Sequence, residues 1–161
     1  MNKGFTLLEV IVYLALYAII IAGAVTSAFS MAEGAGRDQS AAMVQEEGAF
    51  LIGKIDDALS HARSVQSPTA SGNYLAVTLF DDSQESIFLS STDVRLSRGA
   101  APAQTLNNSN VSVTSLTFTH TLAAGGGIQP ESVRADLTLQ AIGASGRAVT
   151  RTFSTIRYLH K

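Results

Sequence analysis

Met1-Asn2-Lys3-Gly4-Phe5-Thr6-Leu7-Leu8-Glu9, running without a break into Val10 through Ala32, is the stretch on which the fold turns. Residues 10–32 contain no Asp, Glu, Lys, Arg or His. As a helix, these 23 residues would rise roughly 35 Å, enough to cross a hydrocarbon core of about 30 Å. Lys3 and the amine of Met1 precede the run, which favours an N-terminus in the cytoplasm and the bulk of the chain outside. Glu9 is the anomaly. A carboxylate deep in a bilayer costs about 2.5–3.5 kcal/mol on insertion scales, so it calls for a partner. Apart from the N-terminus, no partner of opposite charge lies within helical reach.

Three readings compete. A plain single-pass anchor accounts for the apolar run but not for Glu9. A secretory signal would use Lys3, the apolar core and Ala22-Gly23-Ala24 as a small-x-small cleavage site. Against it, the positive region is very short and Glu9 partly cancels it. The third reading rests on register: Gly4-Phe5-Thr6-Leu7-Leu8-Glu9 leads directly into the long apolar segment. That pattern resembles the class III signal of type IV prepilins and of the pseudopilins of type II secretion and competence systems.

The resemblance implies cleavage between Gly4 and Phe5 by a dedicated membrane peptidase, then N-methylation of Phe5. Glu9 then matches the family's characteristic glutamate, five residues into the mature chain. In a filament of packed anchors, its carboxylate would meet the amine of a neighbouring Phe5. Such a pair in an apolar core sets register more than it adds stability, because each charge is costly without the other. Partners implied are other pilin or pseudopilin subunits, the prepilin peptidase and, indirectly, an assembly platform protein with its ATPase. The implied location is the cytoplasmic (inner) membrane, single-pass, and afterwards an extracytoplasmic filament.

One departure from the family stands out. Many major pilins carry a proline late in the apolar helix, whereas this chain has none before Pro68. Gly23 alone could ease a bend there, and glycine by itself rarely forces one. The difference points toward a minor or pseudopilin-type subunit. Tyr13-Leu14-Ala15-Leu16-Tyr17-Ala18 and the strand-rich tail look most like the J-type minor pseudopilins. In sequence the resemblance covers residue 4 to about residue 30.

Past the anchor, Gly34 and Gly36 each cost a helix about 1 kcal/mol relative to alanine, so a bend or short break is expected there. Helical periodicity then resumes over 37–64. Val44, Leu51, Ile55, Leu59 and Ala62 share one stripe, with Phe50 and Ala58 beside it. Ser67-Pro68-Thr69-Ala70-Ser71-Gly72-Asn73 is the first dense cluster of turn formers. From there the period is two. Strands are expected at 74–80 and 85–90 around a hairpin turn at 81–84. A loop-rich crossing follows at 97–110. The next strand, 111–122, shifts phase between Val113 and Leu116, which suggests a bulge. Val133, Ala135, Leu137, Leu139 and Ala141 alternate cleanly with Arg134, Asp136, Thr138 and Gln140, and 147–159 returns after a turn at 143–146.

The expected organisation is a leader at 1–4, a transmembrane and polymerisation helix at 5–32, an amphipathic continuation at 33–66 and a β domain at 67–161. The fold class is α+β, with a helical spine packed on an antiparallel sheet of five or six strands. This order of elements also matches the pilin fold.

Signals for chemistry are weak. The chain has no cysteine, which removes disulfides, thiolate metal sites and a thiol nucleophile. His61, His120 and His160 lie on separate elements without ligand spacing. Asp81-Asp82 with Glu85 could hold calcium, but a hairpin turn explains the same residues. Gly125-Gly126-Gly127 lacks the lysine and hydroxyl residue of a phosphate loop. No nucleophile elbow is present. Asn107-Asn108-Ser109 and Asn110-Val111-Ser112 match a glycosylation pattern that arises by chance in so Ser/Thr-rich a chain. Beyond residue 33 there are ten basic and eleven acidic side chains, a balance that asks for no nucleic acid. Arg134, Arg147, Arg151, Arg157 and Lys161 give the C-terminal end a mild positive bias, best read as a solvated sheet face. No catalytic residue, metal or cofactor is expected. The reading is a filament subunit; the alternative is a membrane-anchored or secreted monomeric β-rich binding domain.

Overall fold

The computed structural model describes residues 6–124, 130–143 and 146–159. A single helix, α1, runs from Leu7 to Ser60, 54 residues and therefore about 80 Å. Nine strands follow among the described residues: β1 (Ala62–Ser67), β2 (Ser71–Gly72), β3 (Tyr74–Leu79), β4 (Gln84–Ser90), β5 (Asp93–Arg98), β6 (Gln104–Thr105), β7 (Val111–Thr121), β8 (Ser132–Ile142) and β9 (Ala148–Tyr158). A long N-terminal helix, apolar in its first half, thus packs on antiparallel β-structure, the α+β arrangement of the pilin fold.

Helix α1 differs from the sequence-based expectation in two ways. Helix α1 is unbroken through Gly34 and Gly36. There the Ser40 hydroxyl donates to the Gly36 carbonyl at 3.0 Å, and Ser40 is itself buried beside Gly143. Tertiary docking of this turn offsets the poor helix propensity of glycine. The helix also ends earlier than 64–66, because residues 62–67 form a strand antiparallel to β3.

The β-structure divides into two sheets, in the orders β1-β3-β4-β5-β6 and β2-β7-β8-β9, where one sheet of five or six strands was expected. The unexpected strand β5 follows a tight reversal in which Ser90 pairs with Asp93 and Ser91 adopts φ 59°. No Gly or Asn marks that turn, so the usual signal for positive φ is missing from the sequence. The bulge in β7 lies between Val113 and Ser115, within the interval where the phase shift placed it.

Helix α1 lies mainly across β8 and β9. Its buried face is Ser40, Val44, Gly48, Leu51, Ile55, Ala58 and Leu59, a spacing of three and four that keeps one stripe inward. Against it stand the inward residues of β8, Val133 through Ala141 at alternate positions, with Leu116 and Phe118 from β7. Leu75, Val77, Ile87 and Val94 complete the core from the other sheet. Gly48 matters for a specific reason: any Cβ there would overlap the ring of Phe153. The sequence-derived stripe lacked Ser40 and Gly48, which carry no apolar side chain to announce them. Phe50, placed beside the stripe, is 46% exposed.

Candidate functional site

The site is the first half of α1. From Leu7 to Gln39 no residue of α1 is buried, although Leu7, Leu8, Ile19, Ile20, Phe29 and Met31 are large and apolar. The apolar part is long enough to cross a membrane, and none of it is covered by the rest of the chain. A helix apolar on all sides must be covered by lipid or by other helices. Thr26 and Ser30 satisfy their hydroxyls internally, donating to the carbonyls of Ala22 (2.8 Å) and Thr26 (3.1 Å). No side-chain hydroxyl of that pair then calls for water.

Glu9 sits in the first turn. Thr6 caps the helix: its extended backbone (φ −80°, ψ 148°) precedes Leu7, and its hydroxyl accepts from the Glu9 N–H at 3.3 Å. The spacing Thr-x-x-Glu is a helix-start signature, and it locates the first turn from sequence. The position also sets the carboxylate against the positive end of the helix dipole. One turn on, the Tyr13 hydroxyl donates to Glu9 Oε1 at 3.5 Å. Gly4 and Phe5, the expected cleavage and methylation site, lie outside the described residues.

Other candidates resolve into structural roles. The Asp81 carboxylate accepts from both the Oγ (2.6 Å) and the N–H (3.0 Å) of Ser83, closing a hairpin turn. These two bonds, the side-chain one first, hold the Asp81 carboxyl below its ordinary value. Asp82 pairs with Arg63 at 2.9 Å, and the buried Glu85 pairs with Arg98 at 2.9 Å. Their partners are all different, and among the described residues no cluster of three or more His, Asp or Glu could hold a metal ion. His61 caps the C-terminus of α1, and His160 lies outside the described residues, as do Gly125–Gly127.

His120 is buried, with Nδ1 at 3.0 Å from the Pro68 carbonyl and Nε2 at 3.0 Å from Glu131 Oε1. A carbonyl only accepts, so Nδ1 carries a proton. The ring thereby ties the crossing between the two sheets to β7. Asn107, read from sequence only as a glycosylation pattern, is a buried hub. Its Oδ1 accepts from Val94 N–H at 2.8 Å, and its Nδ2 donates to the Val111 carbonyl at 3.0 Å. No sequence signal distinguishes such an asparagine from a loop residue.

With this geometry in view, residues 1–25 match the family described as the prokaryotic N-terminal methylation motif. The match covers the segment from the expected leader through most of the apolar run. No curated protein and no solved structure matches the chain significantly. The similarity defines a class: a chain with a prepilin-type N-terminus on a pilin-like α+β fold.

Proposed function

We propose that the chain is a membrane-anchored filament subunit that is cut after Gly4, methylated on Phe5 and polymerised through the first half of α1. The observation that carries this reading is an uncovered apolar half-helix with one carboxylate in its first turn, inside a segment matching the methylation motif. A charge at that position is tolerable when an opposite charge reaches it, and a neighbour's methylated amine supplies one. The N-terminus would face the cytoplasm and the β domain the outside, with the prepilin peptidase, other pilins or pseudopilins, and an assembly platform with its ATPase as partners. The helix is continuous from Leu7 to Ser60 without proline, which favours a minor or pseudopilin-type subunit over a main shaft subunit, and the Tyr13–Ala18 stretch with the strand-rich tail favours the J type.

The deciding experiment is the intact mass and N-terminal residue of the protein extracted from its native membrane. The expected species begins at N-methylated Phe5. A chain beginning near Thr26 would instead mark a secreted monomeric β domain. Retention of Met1 in a host that has the peptidase would leave a plain anchor.

A further inference from the structure

One end of the β-structure stands close to the end of the apolar run, and the helix fixes how close. The uncharged residues end at Ala32, so Gly36 lies four residues, about 6 Å, further along the helix. A bilayer's headgroup layer is about 5–8 Å deep on each side of the hydrocarbon. Gly36 is therefore at headgroup level when the first half of α1 spans the bilayer. The β8–β9 reversal comes down to that level. A Cβ added at Gly143 would lie 3.2 Å from Ser40 Oγ and 3.8 Å from the Gly36 carbonyl oxygen. The Gly143 N–H donates to the Arg147 carbonyl at 2.9 Å, which holds Arg147 beside it.

Strand β9 supplies an independent measure. Phe153 stands at Gly48, and Arg157 Nη1 donates to Asp56 Oδ2 at 3.4 Å. Four strand residues, about 13 Å, thus match eight helix residues, about 12 Å, so strand and helix run nearly alongside. Arg147, six residues before Phe153, then lies about 20 Å nearer the membrane, level with about residue 35. Ala148 and its cross-strand partner Ile142 fall just above it. The side chains change character there. Along β8 the outward positions are Ser132, Arg134, Asp136, Thr138, Gln140 and Ile142. Only the last is apolar, it is 72% exposed, and it is the one at the membrane end. Arg37 and Arg147 are exposed at the same level.

We propose that this end of the sheet rests on the phospholipid headgroups of the bilayer that anchors the chain, with Ile142 inserted among them and Arg147 and Arg37 reaching lipid phosphates. The inference rests on the membrane-anchor part of the proposed function and needs only one copy of the chain. It adds a second contact to the anchor and so fixes how the β domain stands on the membrane. Isoleucine gains by leaving water, and a guanidinium forks to phosphate oxygens while its stem lies along apolar surface. Glu33 and Asp38 are also exposed at this level, so two acids balance the two arginines. The surface recognised is therefore the zwitterionic headgroup, a phosphate with its own compensating cation, rather than an excess of anionic lipid.

The native chain has no cysteine, so one introduced cysteine places a fluorescent label unambiguously. Ala148 is exposed and pairs with Ile142, while Phe80 is 62% exposed at the far end, its N–H on the His61 carbonyl. Full-length chain carrying Ala148→Cys or Phe80→Cys is labelled with bimane and placed in phosphatidylcholine nanodiscs. The label at residue 148 should be quenched by headgroup-nitroxide lipid and shielded severalfold from iodide. At residue 80 the reverse is expected. Adding Ile142→Asp or Arg147→Glu to the Ala148→Cys chain should abolish the shielding, whereas Arg147→Lys should keep it. Both positions are exposed, so the thermal unfolding midpoint should stay where it is. Equal iodide access at the two labels in chain that enters the nanodiscs would overturn the contact and leave the anchor standing. Shielding that survives Ile142→Asp and Arg147→Glu together would also overturn it, because nearness to the membrane alone would then explain the signal. Shielding that appears only when phosphatidylglycerol is added would overturn it in favour of plain attraction to anionic lipid. Chain that does not enter nanodiscs at all would remove both the contact and the anchor.

Discussion

The two halves of α1 share one backbone and face different solvents. Before Ser40 no described residue of α1 is buried, and from Ser40 onward seven are, all on one stripe. Residues 10–32 of the first half carry no charge on any side; the second half is apolar on one side and carries Glu46, Lys54 and Asp57 elsewhere. Helix formation is therefore not what distinguishes them. What differs is cover: the chain's own sheet covers one side of the second half and leaves the first half bare. The same truncation should consequently read out in different experiments depending on which half it strikes.

The largest contrast is between Leu51 and Leu16. Leu51 is fully buried against the sheet, and Leu51→Ala should cost about 2–5 kcal/mol of β-domain stability through lost burial and a residual cavity. Leu16 is 52% exposed, and Leu16→Ala should shift the same unfolding midpoint by under about 0.5 kcal/mol. Denaturant titration of the full chain in detergent, followed by near-ultraviolet circular dichroism, separates the two. Equal losses would mean that the first half of the helix packs on the domain after all, and the comparison would fail.

Next comes a contrast within the second half. At Gly48 a methyl group has no room, and Gly48→Ala should destabilise by about 1–3 kcal/mol as Phe153 is displaced. At Gly53 an added Cβ meets nothing, and Gly53→Ala should stabilise by about 0.5–1 kcal/mol through helix propensity alone. Thermal unfolding of both variants checks the signs, which should be opposite. If Gly48→Ala were neutral, Phe153 would not be seated on the helix.

How much of this was legible beforehand follows from what each signal measures. Hydrophobic periodicity reports burial, so the stripe from Val44 to Leu59 and the inward face of β8 could be read from sequence. It is silent on Ser40 and Gly48, which are buried because another backbone or ring comes close. It also missed the start of β1, where Ala62 continues the helical stripe while its neighbours already pair with β3. Strand β5 was hidden because its turn uses Ser91 rather than glycine. At the candidate site, Glu9 stood out because a lone carboxylate in an apolar run is costly. Its local setting between Thr6 and Tyr13 needed the helix start to be fixed first.

The smallest expected effect lies in neither half, at the exposed β3–β4 turn. There the polar groups stay in water, so the turn shows what a hydrogen bond does without burial. Ser83 donates twice to the Asp81 carboxylate, and that holds the Asp81 pKa below 3.8, its ordinary value. A carboxyl depressed in the folded state adds stability at pH values above its unfolded pKa, and that share is lost as pH falls through the folded value. Ser83→Ala removes the larger of the two causes and keeps the backbone donor. The Asp81 pKa should then rise toward 3.8, read by NMR titration of its side-chain carboxyl carbon. Acid sensitivity between the two values should weaken, with the core and helix signals untouched. Were the pKa to stay where it is, the backbone N–H alone would be setting it, and the hydroxyl would be a bystander.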